Sequence, residues 1–136
     1  MTENLNRKVS TGTPWEPVVG YSRAVAAGDH VYVSGCAPVD LESGEVVGPG
    51  DAYTQAKQCL ANVAWALEQV GASMADVVRT RIFVTDIFRW EEYGRAHGEV
   101  FGDIRPATSM VEVSSLIDPA MLVEIEADAY KPGVGR

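Results

Sequence analysis

A carboxylate in the middle of an alternating apolar stretch is the side chain of this sequence best placed for chemistry. Glu124 lies in Leu122–Tyr130 (LVEIEADAY), directly after Leu122 and Val123. Partial loss of water there raises a carboxyl pKa toward general-acid or general-base use. The alternative is a structural ion pair with Arg79 or Arg81. Cys36 follows Ser34-Gly35 at the end of a strand, where backbones often approach ligands. It is either a nucleophile, for which no histidine stands at partner spacing, or a small buried thiol. Cys59 and His97 fall on apolar helix faces and read as a core thiol and a hydrogen-bonded core imidazole. His30, beside a turn, reads as exposed. Histidines and cysteines so placed have no zinc-ligand spacing, and neither GxGxxG nor GxxxxGK[ST] occurs, so no metal and no cofactor are expected.

These side chains belong to 136 residues, 46% hydrophobic and 22% charged, which is ordinary composition for one globular domain. Eleven Lys and Arg against nineteen Asp and Glu give a net charge of −8. Neutralising nucleic-acid phosphates needs clustered cations, and no basic run exceeds Arg7-Lys8, so neither nucleic acid nor a membrane surface is an expected partner. Two cysteines make no disulfide framework, and the first thirty residues lack the apolar core of a signal peptide; the expected compartment is the cytoplasm. One domain, 1–136, is expected, with 1–17 an irregular lead-in and 131–136 a frayed tail.

Between those ends the periodicity dictates the elements. Tyr21–Ala27 and His30–Ser34 flank Gly28-Asp29 as a hairpin. Pro38 to Gly50 is turn-rich. Asp51 caps a helix running to about Val70 and stopping at Gly71, with Ala52, Ala56, Cys59, Leu60, Val63, Ala64, Leu67 and Val70 as its buried stripe. Val77–Thr85 alternates, with Val78, Thr80, Ile82 and Val84 on one face and Arg79, Arg81 and Phe83 on the other. A second helix from about Arg89 to Phe101 places Trp90, Tyr93, His97, Val100 and Phe101 on one side. Ala107–Val113 and Leu122–Tyr130 read as two more strands.

The order β-β-α-β-α-β-β predicts an α+β fold, a mixed β-sheet with two helices packed on one face. The other face should carry Arg79, Arg81, Glu112, Glu124, Glu126 and Asp128 beside Phe83, Met110 and Leu122. It is either solvated or a subunit interface, and Phe83 and Met110 favour the interface.

Four stretches carry a resemblance: Tyr21–Val25 followed by Val31–Gly35, QAKQCLANVAWALEQVG from Gln55 to Gly71, VVRTRIFVTD from Val77 to Asp86, and RPATSMVEV from Arg105 to Val113 with Val123–Ala127. In this order and spacing the chain resembles the YjgF/RidA family over about residues 18–131. The resemblance implies a chorismate-mutase-like fold in a homotrimer, sheets inward, with clefts between subunits. It further implies hydrolysis of reactive enamines and imines made by pyridoxal-phosphate enzymes, releasing ammonia and a 2-keto acid.

Carried over by position, the family's pocket tyrosine is Tyr21, its glycine Gly35 and its water-orienting glutamate Glu124. The residue whose backbone carbonyl shares that task is Met110, where many relatives have Cys. The family arginine that forks onto the substrate carboxylate directly follows Pro-Ala, and here Pro106-Ala107 is followed by Thr108. Arg105 lies three residues upstream, about 10 Å along a strand, and does not replace it. A pocket asparagine of many relatives falls at Gly94. Thr108 suits a hydroxyl, carbonyl or amide where relatives hold a carboxylate. The expected function is therefore RidA-like enamine or imine deamination on a non-standard small-molecule substrate. Cys36 and Arg105 are possible further pocket residues. The alternative is a non-catalytic trimer that binds a small metabolite or protein partner in the same clefts.

Overall fold

The structure is a computed structural model that describes residues 6–136. Six strands form one mixed sheet in the order β1-β2-β3-β6-β4-β5. They are β1 (Arg7–Val9), β2 (Ala24–Ala27), β3 (His30–Cys36), β4 (Val77–Val84), β5 (Ala107–Glu112) and β6 (Val123–Tyr130). Between them run a short helix α1 (Trp15–Val19) and the two long helices α2 (Ala52–Glu68) and α3 (Trp90–Phe101). Among the described residues only β4 and β5 pair in parallel, and α3 supplies the crossover that a parallel pair requires. The α+β reading with two helices on one sheet face is thus what the chain forms.

α2 starts where the Asp51 carboxylate accepts the Thr54 N–H at 3.0 Å. Its buried face meets small residues on the sheet: Ala24, Ala26, Ala127 and Ala129 are fully buried and let the helix approach closely. Ala66 takes the buried place expected for Ala64, which is half-buried. Two buried polar residues of α2 also face inward. The Gln55 amide donates to the Ala120 carbonyl (2.9 Å) and accepts the Leu122 N–H (2.8 Å), fixing the entry to β6. Asn62 donates to the carbonyls of Ala37 (3.1 Å) and Val39 (2.8 Å), tying down the loop after β3.

Several expectations are corrected. The lead-in is not irregular throughout, because β1 pairs with β2 and α1 follows; its first five residues lie outside the described ones. The tail is docked: Lys131 N–H bonds the Asp29 carbonyl (2.7 Å), Gly135 N–H bonds the Gly28 carbonyl (2.8 Å), and Val134 is buried. In β4 a register shift between Val77 and Arg79 turns Val77 inward and leaves Val78 50% exposed. On α3 the buried residues are Tyr93, Ala96 and Phe101, with His97 half-buried, whereas Trp90 is 56% exposed.

The largest correction concerns β5. Its register sets Thr108 beside Thr80, Met110 beside Ile82 and Glu112 beside Val84, all of which face the helices. Met110 and Leu122 therefore pack against the core, and the Glu112 carboxylate accepts the Ile87 N–H at 3.0 Å. The open face instead receives Ser109 and Val111 from β5. It keeps Arg81, which lies 3.4 Å from both Glu126 and Asp128.

Candidate functional site

The site begins with an irregularity in β3. Val33 pairs with Ala127 but the next pair is Cys36 with Ile125, so Ser34 and Gly35 bulge out of the ladder. A bulge re-aims the residues that follow it. Here it buries Cys36 and turns Gly35 toward Glu124. A Cβ on Gly35 would stand 2.5 Å from Glu124 Oε2 and 2.9 Å from its carboxyl carbon, so the glutamate side chain lies directly across the bare α-carbon. Only glycine leaves that space.

Arg23 supplies the charge. It is 7% exposed, and it donates to the Ser34 (3.2 Å) and Gly35 carbonyls that the bulge frees from the ladder. A further bond reaches the Tyr21 hydroxyl at 3.3 Å, and the guanidinium carbon stands 5.5 Å from the Tyr21 ring centre. Burial raises the Glu124 pKa above the ordinary carboxylate value; Arg23 opposes the rise and Glu126 adds to it. No hydrogen bond joins Glu124 to Arg79 or Arg81 among the described residues; Arg81 is engaged by Glu126 and Asp128. Burial pushes the Cys36 thiol up to about 11, against the pull of Arg23, so at neutral pH it is a neutral thiol and not an activated nucleophile. Cys59 is fully buried in α2 and its thiol is raised well above the usual value by burial.

Tyr21, Arg23, Gly35, Cys36 and Glu124 share one pocket of about 190 Å³. Its walls are apolar, from Trp15 and Val19 of α1, Val39 and Leu41 after β3, and Ile117 before β6. Thr11 and Thr13 close one side. Their hydroxyls bond the buried Glu16 carboxylate, at 2.9 Å for Thr13. Burial works to raise the Glu16 pKa, but these bonds outweigh it and hold the group below its ordinary value. The segment expected to be an irregular lead-in is therefore a wall of the pocket.

Of the residues singled out in the sequence, the fold brings Tyr21, Gly35, Cys36 and Glu124 together. It does not bring Thr108, Met110 or Arg105 to them. β5 lies two strands beyond β6, about 10 Å at ordinary strand spacing, at the free edge of the sheet. Arg105 sits in the turn before β5 at φ 55°, its N–H bonded to the Phe101 carbonyl (2.8 Å). Val113 N–H bonds the Val84 carbonyl at 2.8 Å, and strand alternation then turns the N–H and C=O of Thr108 and Met110 outward along that edge. His97 Nε2 lies 2.9 Å from the Thr80 hydroxyl, the hydrogen-bonded core role expected of it. His30 is exposed and stacks on Tyr32, with ring centres 6.0 Å apart. The pocket residue that sequence reasoning passed over is Arg23. Its signal was a cation at the mouth of an apolar strand, between Tyr21 and Ala24.

Residues 11–131 match the family model described as endoribonuclease L-PSP. The crystal structure of Rv2704 from Mycobacterium tuberculosis, described as a member of the YjgF/YER057c/UK114 family, superposes with a TM-score of 0.83 at 51% identity, covering 92% of this chain and 98% of that one. A RutC family protein of Pyrococcus abyssi is 38% identical over 85% of this chain and 90% of its own length. The 3-aminoacrylate deaminase RutC of Acinetobacter baylyi is 36% identical over 88% of this chain and 92% of its own length. With its mixed sheet, its two covering helices and a family match spanning nearly every described element, the chain belongs to the YjgF/RidA family.

Proposed function

We propose that this chain is a RidA-like deaminase that hydrolyses a small enamine or imine. The observation that carries this reading is Glu124: a carboxyl whose pKa burial raises against the pull of Arg23, laid across Gly35 in an apolar-walled pocket. An enamine tautomerises to an imine, water adds across C=N, and the resulting carbinolamine expels ammonia to leave a carbonyl. Glu124 as carboxylate takes the proton from the attacking water and returns it to the departing nitrogen. A group with a raised pKa performs both halves near neutral pH, where an ordinary carboxylate is a poor acid. The deaminase relative from Acinetobacter supports the same chemistry for this site.

The pocket of one chain holds the glutamate, tyrosine and glycine. The outward carbonyl of Met110 and the hydroxyl of Thr108 lie at a free sheet edge, which fits a cleft completed by β5 of a second copy in a homotrimer. The acidic charge and the absence of a basic run argue against RNA as the substrate despite the wording of the family description.

The test is ammonia release from 2-aminoacrylate, 3-aminoacrylate and their uncharged amides generated in situ, for wild type and Glu124→Gln. Removing a general acid–base group should lower turnover roughly 10²–10⁴-fold. Equal rates would reject the mechanism, and a metabolite held without turnover would favour a binding protein.

A further inference from the structure

A line of hydrogen-bonding side chains runs from α3 to the free edge of β5. His97 Nε2 lies 2.9 Å from Thr80 Oγ1, Thr80 Oγ1 lies 2.7 Å from Thr108 Oγ1, and Thr108 Oγ1 lies 3.2 Å from the Pro106 carbonyl. Thr80 is fully buried, between apolar neighbours on a strand whose other inward residues are Val77, Ile82 and Val84. A hydroxyl there is costly unless it is bonded on both sides, as it is. Thr108, at the far end, is exposed.

Counting protons orders the line. Each hydroxyl carries one, and the imidazole, which burial keeps neutral, carries one on either ring nitrogen. With hydrogen on Nε2, His97 donates to Thr80, Thr80 to Thr108 and Thr108 to Pro106, so all three contacts are filled. With hydrogen on Nδ1 the order reverses, only two contacts are filled, and the Pro106 carbonyl loses the Thr108 proton. The first order fills one more contact within the protein. In it Thr108 is backed by two donors in series, which polarise its O–H and make it a stronger donor. Its acceptor among the described residues, the Pro106 carbonyl, is the longest contact of the three and is readily exchanged for an incoming one.

We propose that His97 is a positioning residue that fixes this order, so that Thr108 presents a charge-neutral donor at the sheet edge and receives an uncharged carbonyl oxygen of the substrate, an amide or ester in place of a carboxylate. This rests on the reading above that β5 of one copy borders the pocket of the next. A single neutral donor suffices for an amide oxygen but leaves a desolvated carboxylate largely uncompensated.

Two measurements test it, neither of which needs turnover. The ¹⁵N shifts of the His97 imidazole in the intact protein should report Nε2–H, and an Nδ1–H tautomer would overturn the proposal. Pyruvamide and pyruvate are then titrated by calorimetry into wild type, His97→Phe, Thr80→Val and His97→Gln. Wild type should bind pyruvamide at least about tenfold more tightly than pyruvate, the equivalent of one good hydrogen bond. His97→Phe and Thr80→Val should bring that ratio close to one. His97→Gln, whose side-chain amide N–H can donate from the same place, should restore most of it. No preference in wild type, binding of neither probe, or a ratio unchanged in both disrupting variants overturns the proposal. An amide preference that follows these variants without any enamine hydrolysis would reject the deaminase reading alone.

Discussion

Gly35 and Glu124 are a matched pair, since the missing Cβ of one is the space filled by the carboxylate of the other. Gly35→Ala therefore moves the carboxylate itself and not a distant support. Ammonia release should fall at least about tenfold, the size of effect a small misplacement of a catalytic group produces. Circular dichroism should show the fold retained, and an unaltered rate would separate Glu124 from the reaction. The raised pKa of Glu124 has a second consequence. At low pH the folded and unfolded chains both hold the proton. As pH rises the unfolded chain releases it first, and the folded state loses relative stability until pH passes the raised folded value. Glu124→Gln stays neutral throughout, so its Tm should gain on wild type between pH 4 and pH 7. A Tm difference that stays constant over that range would contradict the burial-driven shift.

α2 holds the sheet through polar as well as apolar contacts. Gln55 binds Ala120 and Leu122 with both ends of its amide, and the near-isosteric Gln55→Leu leaves a partly buried carbonyl and N–H without these partners. That should cost about 2 kcal/mol in denaturant unfolding; a loss no larger than that of an exposed substitution would mean that the two backbone groups find water. The same helix shows what periodicity reveals and what it hides. Apolar spacing located α2, β6 and the hairpin, because each has one face against a continuous core. It misassigned β5, since an edge strand with both faces partly exposed offers no apolar contrast to orient it, and only pairing with Thr80, Ile82 and Val84 settles which face is which. The Ser34-Gly35 bulge was equally hidden, because a one-dimensional pattern does not contain register. Tyr21 and Gly35 were placed by family likeness and Glu124 already by its place in an alternating strand, whereas Arg23 was missed because it is held mainly by the backbone carbonyls of Ser34 and Gly35, which the bulge exposes.

At the scale of the molecule, the homotrimer proposed above would form through the open sheet face and the free edge of β5. Val111 is 46% exposed on that face. Val111→Lys should shift the protein toward monomer in light scattering and abolish deamination; in its own chain Val111 stands in register with Glu124, on the far side of Phe83. Full activity in a monomeric variant would place the whole site within one subunit. The docked tail adds a different kind of consequence. Arg7 reaches across to donate to the Val134 carbonyl at 2.7 Å, and the last residues bond the Gly28-Asp29 turn. The described beginning of the chain and its end are therefore neighbours in space although 127 residues separate the bonded pair in sequence. A short linker could join Arg7 to Val134, and new termini could be opened in the exposed 42–45 turn. The order in which the elements are synthesised is thus separable from the way they pack, and a circularly permuted chain should assemble the same pocket.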